Sequence, residues 1–324
     1  MRAVVVGDLN ASWEALETIL VGTGLARPRG GRLRWTGGAS RLIQVGDLFN
    51  RGGGARRALE TLLALGVEAR RVGGDVCVLL GNHEVMTTLG HEGYVTEDEY
   101  LAFATPRELA AWPGRIYAAW RRFNTPGADG RVLPIPPQIE AWKALHAPGR
   151  TALRRALGPR GLLGRAIRAL PVAVRVGDAV ALHAGVNARW AKRGVDGLNA
   201  AAAAAWAAKP RRWADLAPRG PFRDRQGPLW HRRLALADTD EITDELDQVL
   251  GHLGAARLIV GHTRTERIGG RPGEVLVRHG GRLVCVDVSL GMGSRPAALI
   301  VADDGGFEWS ETRVRRLFRR RKSS

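Results

Sequence analysis

Short apolar runs that each end in a glycine and a polar residue restrict the fold of this chain more than any other feature. Three occur early, as "RAVVVGD" at 2–8, "RLIQVGD" at 41–47 and "VCVLLGN" at 76–82. Nearly continuous apolar runs are typical of parallel strands that are buried on both faces. The polar residues at 8, 47 and 82 lie 39 and 35 residues apart, which leaves room for a crossover helix. We therefore predict an α/β sheet whose parallel strands end at one edge.

The segments between these runs predict helices. Apolar residues recur on one face of 11–22 and of 55–65, and Gly22 and Gly66 are expected to end the two helices. Further strands are predicted at 179–183, 257–261, 282–288 and 297–302, and the alanine-rich segment 198–209 predicts another helix.

Residues 91–170 interrupt the strand pattern with helix-rich sequence. We interpret this segment as a cap or insertion over the site, within a single domain that spans 1–312. The remaining residues, 313–324, form a basic tail, "RVRRLFRRRKSS".

The net charge of +17 can attract phosphates, acidic proteins or nucleic acid. A nucleic-acid contact through the tail is open but not favoured over a solvated, frayed terminus. The chain lacks an apolar stretch of eighteen residues, so we expect no membrane span. Cys77 and Cys285 lie inside apolar runs, which predicts two buried strand thiols in a cytoplasmic protein rather than a disulfide framework.

Polar residues recur at the predicted strand ends. They are Asp8, Asp47, Asn82, His83, His183 and His262. A carboxylate at the end of a buried strand is costly unless it is paired or bound to a cation. Carboxylates, an amide and imidazoles together form a mixed oxygen and nitrogen donor set, which suits Mn²⁺, Fe or Zn²⁺.

Five motifs, taken in order and with their spacing, resemble those of the calcineurin-like metallophosphoesterases. They are "GDLN", "GDLFNRG", "GNHE", "LHAG" and "VGHT". The segments 158–178 and "GPLWHR" at 227–232 resemble the Shewanella-like, bacterial-type branch of the phosphoprotein phosphatases. This resemblance spans about 3–302 and implies a four-layer αββα sandwich of mixed sheets with a helical insertion.

The resemblance also implies the chemistry of a metal-dependent phosphoester hydrolase with two divalent cations and a bridging hydroxide. The cations would be Mn²⁺, with Fe, Zn²⁺ or Mg²⁺ as alternatives. The implied metal ligands are Asp8 and Asn10 at the first site, Asp47 between the sites, and Asn82, His183 and His262 at the second. His83 would be the general acid, Arg51 and Arg232 would bind the phosphate oxygens, and Glu84 would lie behind the ligands.

Two positions depart from the family pattern. Asn10 stands where the family has a histidine ligand, and an amide oxygen is a weaker donor to a transition metal. Asn50 stands where the family has an aspartate that pairs with the general acid. Asn50 can accept a hydrogen bond from the His83 ring, but it carries no charge to stabilise an imidazolium. We therefore expect reduced activity.

Three functions stay open at this point. The favoured one is a serine/threonine or tyrosine protein phosphatase-like phosphomonoesterase, which acts on a phosphoprotein or a small phosphoester. The second is a nucleotide hydrolase of the diadenosine tetraphosphatase type, because "LHAGV" and "VGHT" also resemble motifs of that group and Trp230 could stack on a base; packing is the favoured role for Trp230. The third is a degenerate, non-catalytic protein that binds a phosphorylated ligand or nucleic acid. The sequence leaves the oligomeric state open.

Overall fold

The computed structural model describes residues 2–123, 136–302 and 307–311. Its strands, in chain order, are β1 (Ala3–Val6), β2 (Ala26–Arg29), β3 (Arg32–Trp35), β4 (Arg41–Gln44), β5 (Asp75–Val78), β6 (Ala173–Val176), β7 (Ala179–Leu182), β8 (Arg257–Val260), β9 (Leu276–Arg278), β10 (Leu283–Cys285), β11 (Ala297–Val301) and β12 (Phe307–Glu311). Its helices are α1 (Trp13–Gly22), α2 (Ala55–Arg70), α3 (Asn82–Thr88), α4 (Glu97–Leu101), α5 (Pro106–Phe123), α6 (Pro136–His146), α7 (Arg150–Leu157), α8 (Leu162–Arg168), α9 (Ala188–Ala191), α10 (Gly194–Ala207), α11 (Arg233–Leu236) and α12 (Thr239–Leu253).

Two five-stranded mixed sheets carry the fold. The first has the order β12-β11-β1-β4-β5, and the second has the order β6-β7-β8-β10-β9. In the first sheet β1, β4 and β5 are parallel, as the three early apolar runs predicted. In the second sheet β7, β8 and β10 are parallel. Strands β2 and β3 form a separate hairpin.

Helices cover the sheets. Helix α2 packs against β5 of the first sheet, and α10 packs against β6 of the second. The two sheets meet through contacts such as the hydrogen bond from the Leu80 backbone N–H to the Pro171 carbonyl, 2.8 Å. The predicted fold class, with mixed sheets packed between helices, is confirmed.

Helix α1 ends at Gly22 as predicted, but the prediction that Gly66 ends the next helix is wrong. Helix α2 continues through Gly66 to Arg70. Gly66 is buried, and a Cβ atom there would lie 3.6 Å from the Val76 Cβ atom. The packing of α2 on β5 therefore outweighs the low helix propensity of glycine.

The segment 91–170 is helical in its described parts, where α4 to α8 lie. Residues 124–135 within it, and the basic tail 313–324, lie outside the described residues. The boundaries of the single domain and of the insertion stay predictions.

Both cysteines are free thiols. Cys285 is buried, but Cys77 is only partly buried, because β5 is an edge strand. Burial raises the pKa of Cys77 to about 11 and that of Cys285 to about 12, so neither forms a thiolate near neutral pH. Within the ranges that the structure describes, no helix combines the length and the apolar character that crossing a bilayer requires.

Candidate active site

The ends of the parallel strands from both sheets meet at one cleft of about 270 Å³. Eight of the ten predicted site residues line this cleft, namely Asp8, Asn10, Asp47, Arg51, Asn82, His83, Arg232 and His262. The other two, Asn50 and His183, are fully buried. The structure thus brings together residues that lie as far apart in the chain as 8 and 262.

Two glycines make room for the carboxylates in this cleft. A Cβ atom at Gly81 would lie 2.3 Å from Asp47 Oδ1, and one at Gly261 would lie 2.2 Å from Asp8 Oδ1. Both distances are far below a normal contact. Each glycine therefore permits a carboxylate from a neighbouring strand end to approach the backbone.

Asp47, His183 and His262 form a buried cluster in which one ligand atom from each lies within 4.8 Å of the others. The Nδ1–H of His183 donates to the Val45 carbonyl, 2.9 Å. Its Nε2 atom then directs a lone pair towards Asn82 Oδ1 at 2.9 Å and His262 Nδ1 at 3.2 Å. A cation stabilises such a convergence of acceptors.

His262 has the properties of a neutral metal ligand. Burial, and then the nearby His183 and Arg232, lower the pKa of its imidazole well below the usual value. Among the described residues, nothing forms a hydrogen bond with its Nε2 atom. The donor set at this end of the cleft therefore fits a divalent transition metal.

Carboxyl groups crowd the floor of the cleft. Asp8 accepts a hydrogen bond from the His262 backbone N–H, 3.0 Å. Burial, together with Asp287 and Asp47, raises the pKa of Asp8 well above its usual value. Buried carboxylates that raise each other's pKa are stabilised when a cation binds between them.

Asp287 is a cleft residue that the sequence reasoning missed. It follows β10, lines the cleft and is 4% exposed. Burial raises its pKa to about 6, against a hydrogen bond from the Ser289 backbone N–H. The signal was present, because Asp287 ends the apolar run "RLVCV", but this residue lies in none of the five motifs.

Asn10 lines the cleft with few supporting contacts. Its backbone N–H donates to the Asp47 carbonyl, 2.8 Å, and its φ angle is +43°. No hydrogen-bond partner for its side-chain Oδ1 atom exists in the described parts of the chain. This amide oxygen is therefore free to bind a cation or water.

Asn50, in contrast, forms hydrogen bonds through both polar groups of its side chain and through its backbone N–H. Its Oδ1 atom lies 2.5 Å from His83 Nδ1. Its Nδ2 group donates to Thr87 Oγ1 at 3.0 Å and to Glu99 Oε2 at 3.1 Å. Its backbone N–H donates to Glu99 Oε1, 3.0 Å. Glu99, a residue of α4 that is fully buried, was not predicted as part of the site.

Glu84 ties two of the strand-end loops together. Its carboxylate accepts hydrogen bonds from the backbone N–H groups of Asp47 at 2.9 Å, Leu48 at 2.6 Å and Gly81 at 2.8 Å. Burial and the neighbouring Asp47 raise its pKa to about 7. Glu84 thus fixes the position of Asp47 from behind.

Four arginines line the cleft: Arg51, Arg232, Arg264 and Arg267. Arg264 pairs with Glu266 at 3.2 Å. For the other three, no carboxylate of the described residues lies within ion-pair distance. Three guanidinium groups are therefore free to bind an anion. Only Arg51 and Arg232 had been predicted.

Trp230 lines the cleft and is also held by packing contacts. Its Nε1–H donates to the Phe222 carbonyl, 2.8 Å. Its ring stands at 89° to the His262 ring, with the centroids 5.7 Å apart, and it packs against the hydrophobic core. This geometry favours the packing role over base stacking.

Comparison with known proteins shows what this chain is similar to. Residues 1–144 match the family described as Calcineurin-like phosphoesterase. The chain is 29% identical to Shewanella-like protein phosphatase 2 of Arabidopsis thaliana over 280 residues, which cover 81% of this chain and 66% of that protein. It is 23% identical to Shewanella-like protein phosphatase 1 of Plasmodium berghei over 269 residues, which cover 81% of this chain and 61% of that protein. The chain thus spans just under two thirds of the length of each of these relatives.

A solved structure shows the same fold. It is the cold-active protein-tyrosine phosphatase of a psychrophile Shewanella species, with a TM-score of 0.65 and 22% identity; the match covers 95% of this chain and 80% of that one. The resemblance predicted from the five motifs is confirmed. The chain is similar over residues 1–144 to the calcineurin-like phosphoesterases, and over about four fifths of its length to the Shewanella-like protein phosphatases.

Proposed function

We propose that this chain is a metal-dependent phosphomonoesterase of the protein phosphatase type, acting on phosphorylated serine, threonine or tyrosine. One observation carries the proposal. Asp47, His183 and His262 converge in a cleft that also holds His83 and the unpaired Arg51 and Arg232.

The proposed metal centre uses two groups of ligands. Asp8, Asn10 and Asp47 would hold the first cation, and Asp47, Asn82, His183 and His262 would hold the second. Divalent cations bound there would neutralise phosphoryl oxygens and lower the pKa of a water molecule for attack on phosphorus. The oxygen donors of the first position favour Mn²⁺ or Mg²⁺, whereas the two imidazoles of the second also suit Fe or Zn²⁺. We propose Mn²⁺ in both.

The chain's own residues would bind the phosphate and protonate the leaving group. Arg51 and Arg232 present guanidinium groups that match phosphate oxygens in geometry. His83 Nε2 faces the cleft, 3.7 Å from Asp47 Oδ2, where it would donate a proton to the departing alkoxide or phenoxide. Its other ring nitrogen is held by Asn50.

Exposed apolar residues at the rim of the cleft support a polypeptide substrate. Leu236, Met292 and Tyr94 line the cleft and are exposed by 52%, 60% and 51%. Exposed apolar residues around a polar floor are typical of a peptide-binding surface. Trp230, the candidate base-stacking residue, also lines the cleft, but its Nε1–H donates to the Phe222 carbonyl and its ring packs against the core. The relatives named as protein phosphatases support the same substrate class.

Turnover of p-nitrophenyl phosphate with Mn²⁺ tests the proposal. We expect metal-dependent turnover that Asp47→Asn and His83→Ala each lower by about 100-fold or more, while Asp240→Asn, an exposed change on α12, has no effect. Turnover that survives in Asp47→Asn, or that does not depend on metal, would contradict the proposal. Phosphopeptide and diadenosine tetraphosphate offered at equal concentration would separate the first two functions; preference for the nucleotide would overturn the substrate class.

A further inference from the structure

We propose that Glu99 is a positioning residue for the general acid: its carboxylate holds Asn50, and Asn50 holds His83. This inference rests on the proposed function, in which His83 protonates the leaving group. It concerns a residue of α4, which lies about 50 residues beyond Asn50 in the chain and has no counterpart among the predicted site residues.

The orientation of the Asn50 amide is fixed by Glu99. An ionised carboxylate has only acceptor atoms, and both oxygens of Glu99 face N–H groups of Asn50, at 3.0 Å and 3.1 Å. The Nδ2 group of Asn50 must therefore point to Glu99. Its Oδ1 atom is left to face His83 Nδ1 at 2.5 Å.

The consequence for His83 is a defined tautomer. Because Asn50 Oδ1 can only accept, the Nδ1 atom of His83 carries the proton of that hydrogen bond. Its Nε2 atom faces the cleft, 3.7 Å from Asp47 Oδ2. To act as the general acid, Nε2 must first take up a second proton, which makes the ring an imidazolium. Fixing one ring nitrogen in this way sets the orientation and protonation of the other.

Above its raised pKa of about 7, Glu99 also supplies the negative charge that Asn50 lacks. The Glu99 side chain is fully buried, and no arginine, lysine or histidine of the described residues lies within ion-pair distance of it. An unpaired buried carboxyl group is costly, which argues against a purely structural role. The charge acts on His83 through one polarised amide group.

A pair of substitutions can exchange the carboxylate and the amide between positions 50 and 99. Glu99→Gln leaves one acceptor and turns an NH₂ group against an N–H group of Asn50, so the network breaks. Asn50→Asp alone places two carboxyl groups in contact. The double variant Asn50→Asp, Glu99→Gln moves the carboxylate to position 50. The new side-chain amide at position 99 can then donate to that carboxylate and accept from the backbone N–H of residue 50.

Kinetics with two leaving groups test the proposal. With Mn²⁺, we expect Glu99→Gln to lower kcat about tenfold with little change in KM, as loss of an outer hydrogen-bond partner does at other sites. The loss should be larger for phenyl phosphate than for p-nitrophenyl phosphate, because the poorer leaving group depends more on the proton. The double variant should recover most of kcat. Glu97→Gln, an exposed change on the same helix, is the matched control.

A second measurement does not depend on turnover. ¹⁵N NMR of the histidine rings, with His83 assigned by His83→Ala, should show the Nδ1–H tautomer in the wild type and a mixture in Glu99→Gln. An unchanged tautomer, an unchanged kcat, or a double variant no better than Glu99→Gln would overturn the proposal. Absence of metal-dependent turnover in the wild type would instead contradict the proposed function, and the NMR result would still decide the role of Glu99.

Discussion

The two asparagines of the site stand in opposite surroundings. Asn50 is fully buried, and each polar group of its side chain has a partner. Asn10 lines the cleft, and its buried Oδ1 atom has no hydrogen-bond partner in the described residues. The same residue type replaces an expected ligand at one end of the cleft and an expected carboxylate at the other. Of the two positions, only position 50 has a replacement for the missing carboxyl group, which is the side chain of Glu99.

The difference teaches that a departure from a family motif has no fixed meaning. At position 50 the missing carboxyl group lies one hydrogen bond away, on Glu99. At position 10 the lost imidazole leaves an oxygen that is free to bind a cation. We therefore expect the general-acid end of the cleft to be intact and the first metal position to be the weaker part.

Truncating each asparagine to alanine should give the largest difference between the two ends of the cleft, measured as the loss of unfolding free energy. Asn50→Ala leaves Glu99, Thr87 and His83 with unsatisfied buried groups, which should cost about 2–4 kcal/mol of unfolding free energy. Asn10→Ala should cost about 1 kcal/mol or less, since no hydrogen bond is lost. Both residues have positive φ, at +73° and +43°, so the backbone cost of alanine is similar and cancels. Urea unfolding with EDTA present measures both; equal losses would break the comparison.

The pH dependence of stability should report the buried charge of Glu99. Burial raises the pKa of Glu99 from 4.5 to about 7, so between these values the folded protein binds more protons than the unfolded chain. Stability must then fall as pH rises through this window, by up to about 3 kcal/mol for this group.

Glu99→Gln removes that loss. We expect the free energy of unfolding of the variant, relative to that of the wild type, to rise as the pH is raised from about 5 to about 8. Urea unfolding without metal measures this difference, while kcat of the variant falls. Glu97→Gln should follow the wild type at both pH values. If the stability difference between Glu99→Gln and the wild type does not rise with pH, the ionised Glu99 carboxylate does not destabilise the folded protein and the prediction is wrong.

The smallest expected effect is at the first metal position. Asn10→His should tighten Mn²⁺ binding about tenfold, because an imidazole is the better donor to a transition metal. Histidine tolerates a positive φ angle better than most residues, so the backbone does not oppose the change. Isothermal titration calorimetry gives affinity and stoichiometry, with the exposed Gln138→His on α6 as a control for adventitious histidine binding. Unchanged affinity would mean that position 10 does not face the metal.

The sequence was sufficient for features that depend on local pattern. Apolar runs that end in a polar residue predicted the parallel strands and the positions of Asp8, Asp47, His183 and His262, because strand ends of parallel sheets meet at one edge. Asp287 follows the same pattern, but "VCVDVSLG" belongs to none of the five motifs, so this aspartate was not recognised.

Features that depend on tertiary contacts could not be predicted. Glu99 lies in "TEDEYL", an acidic helix start that is indistinguishable in sequence from a solvated surface turn. Its burial against Asn50 depends on how α4 packs. Gly66 was expected to end a helix, yet the contact of α2 with Val76 decides otherwise. In both cases a non-local contact outweighs a correct local preference.

Gly81 and Gly261 lie so close to the carboxylates of Asp47 and Asp8 that they determine the shape of the cleft, whereas other positions determine its chemistry. Side chains such as those at positions 10 and 50 can be exchanged for others of similar size, so metal preference and proton transfer can be tuned one residue at a time. No side chain fits at 81 or 261. These two glycines therefore identify the scaffold even in a chain that no longer turns over substrate, and catalytic competence has to be judged from the groups that the scaffold presents.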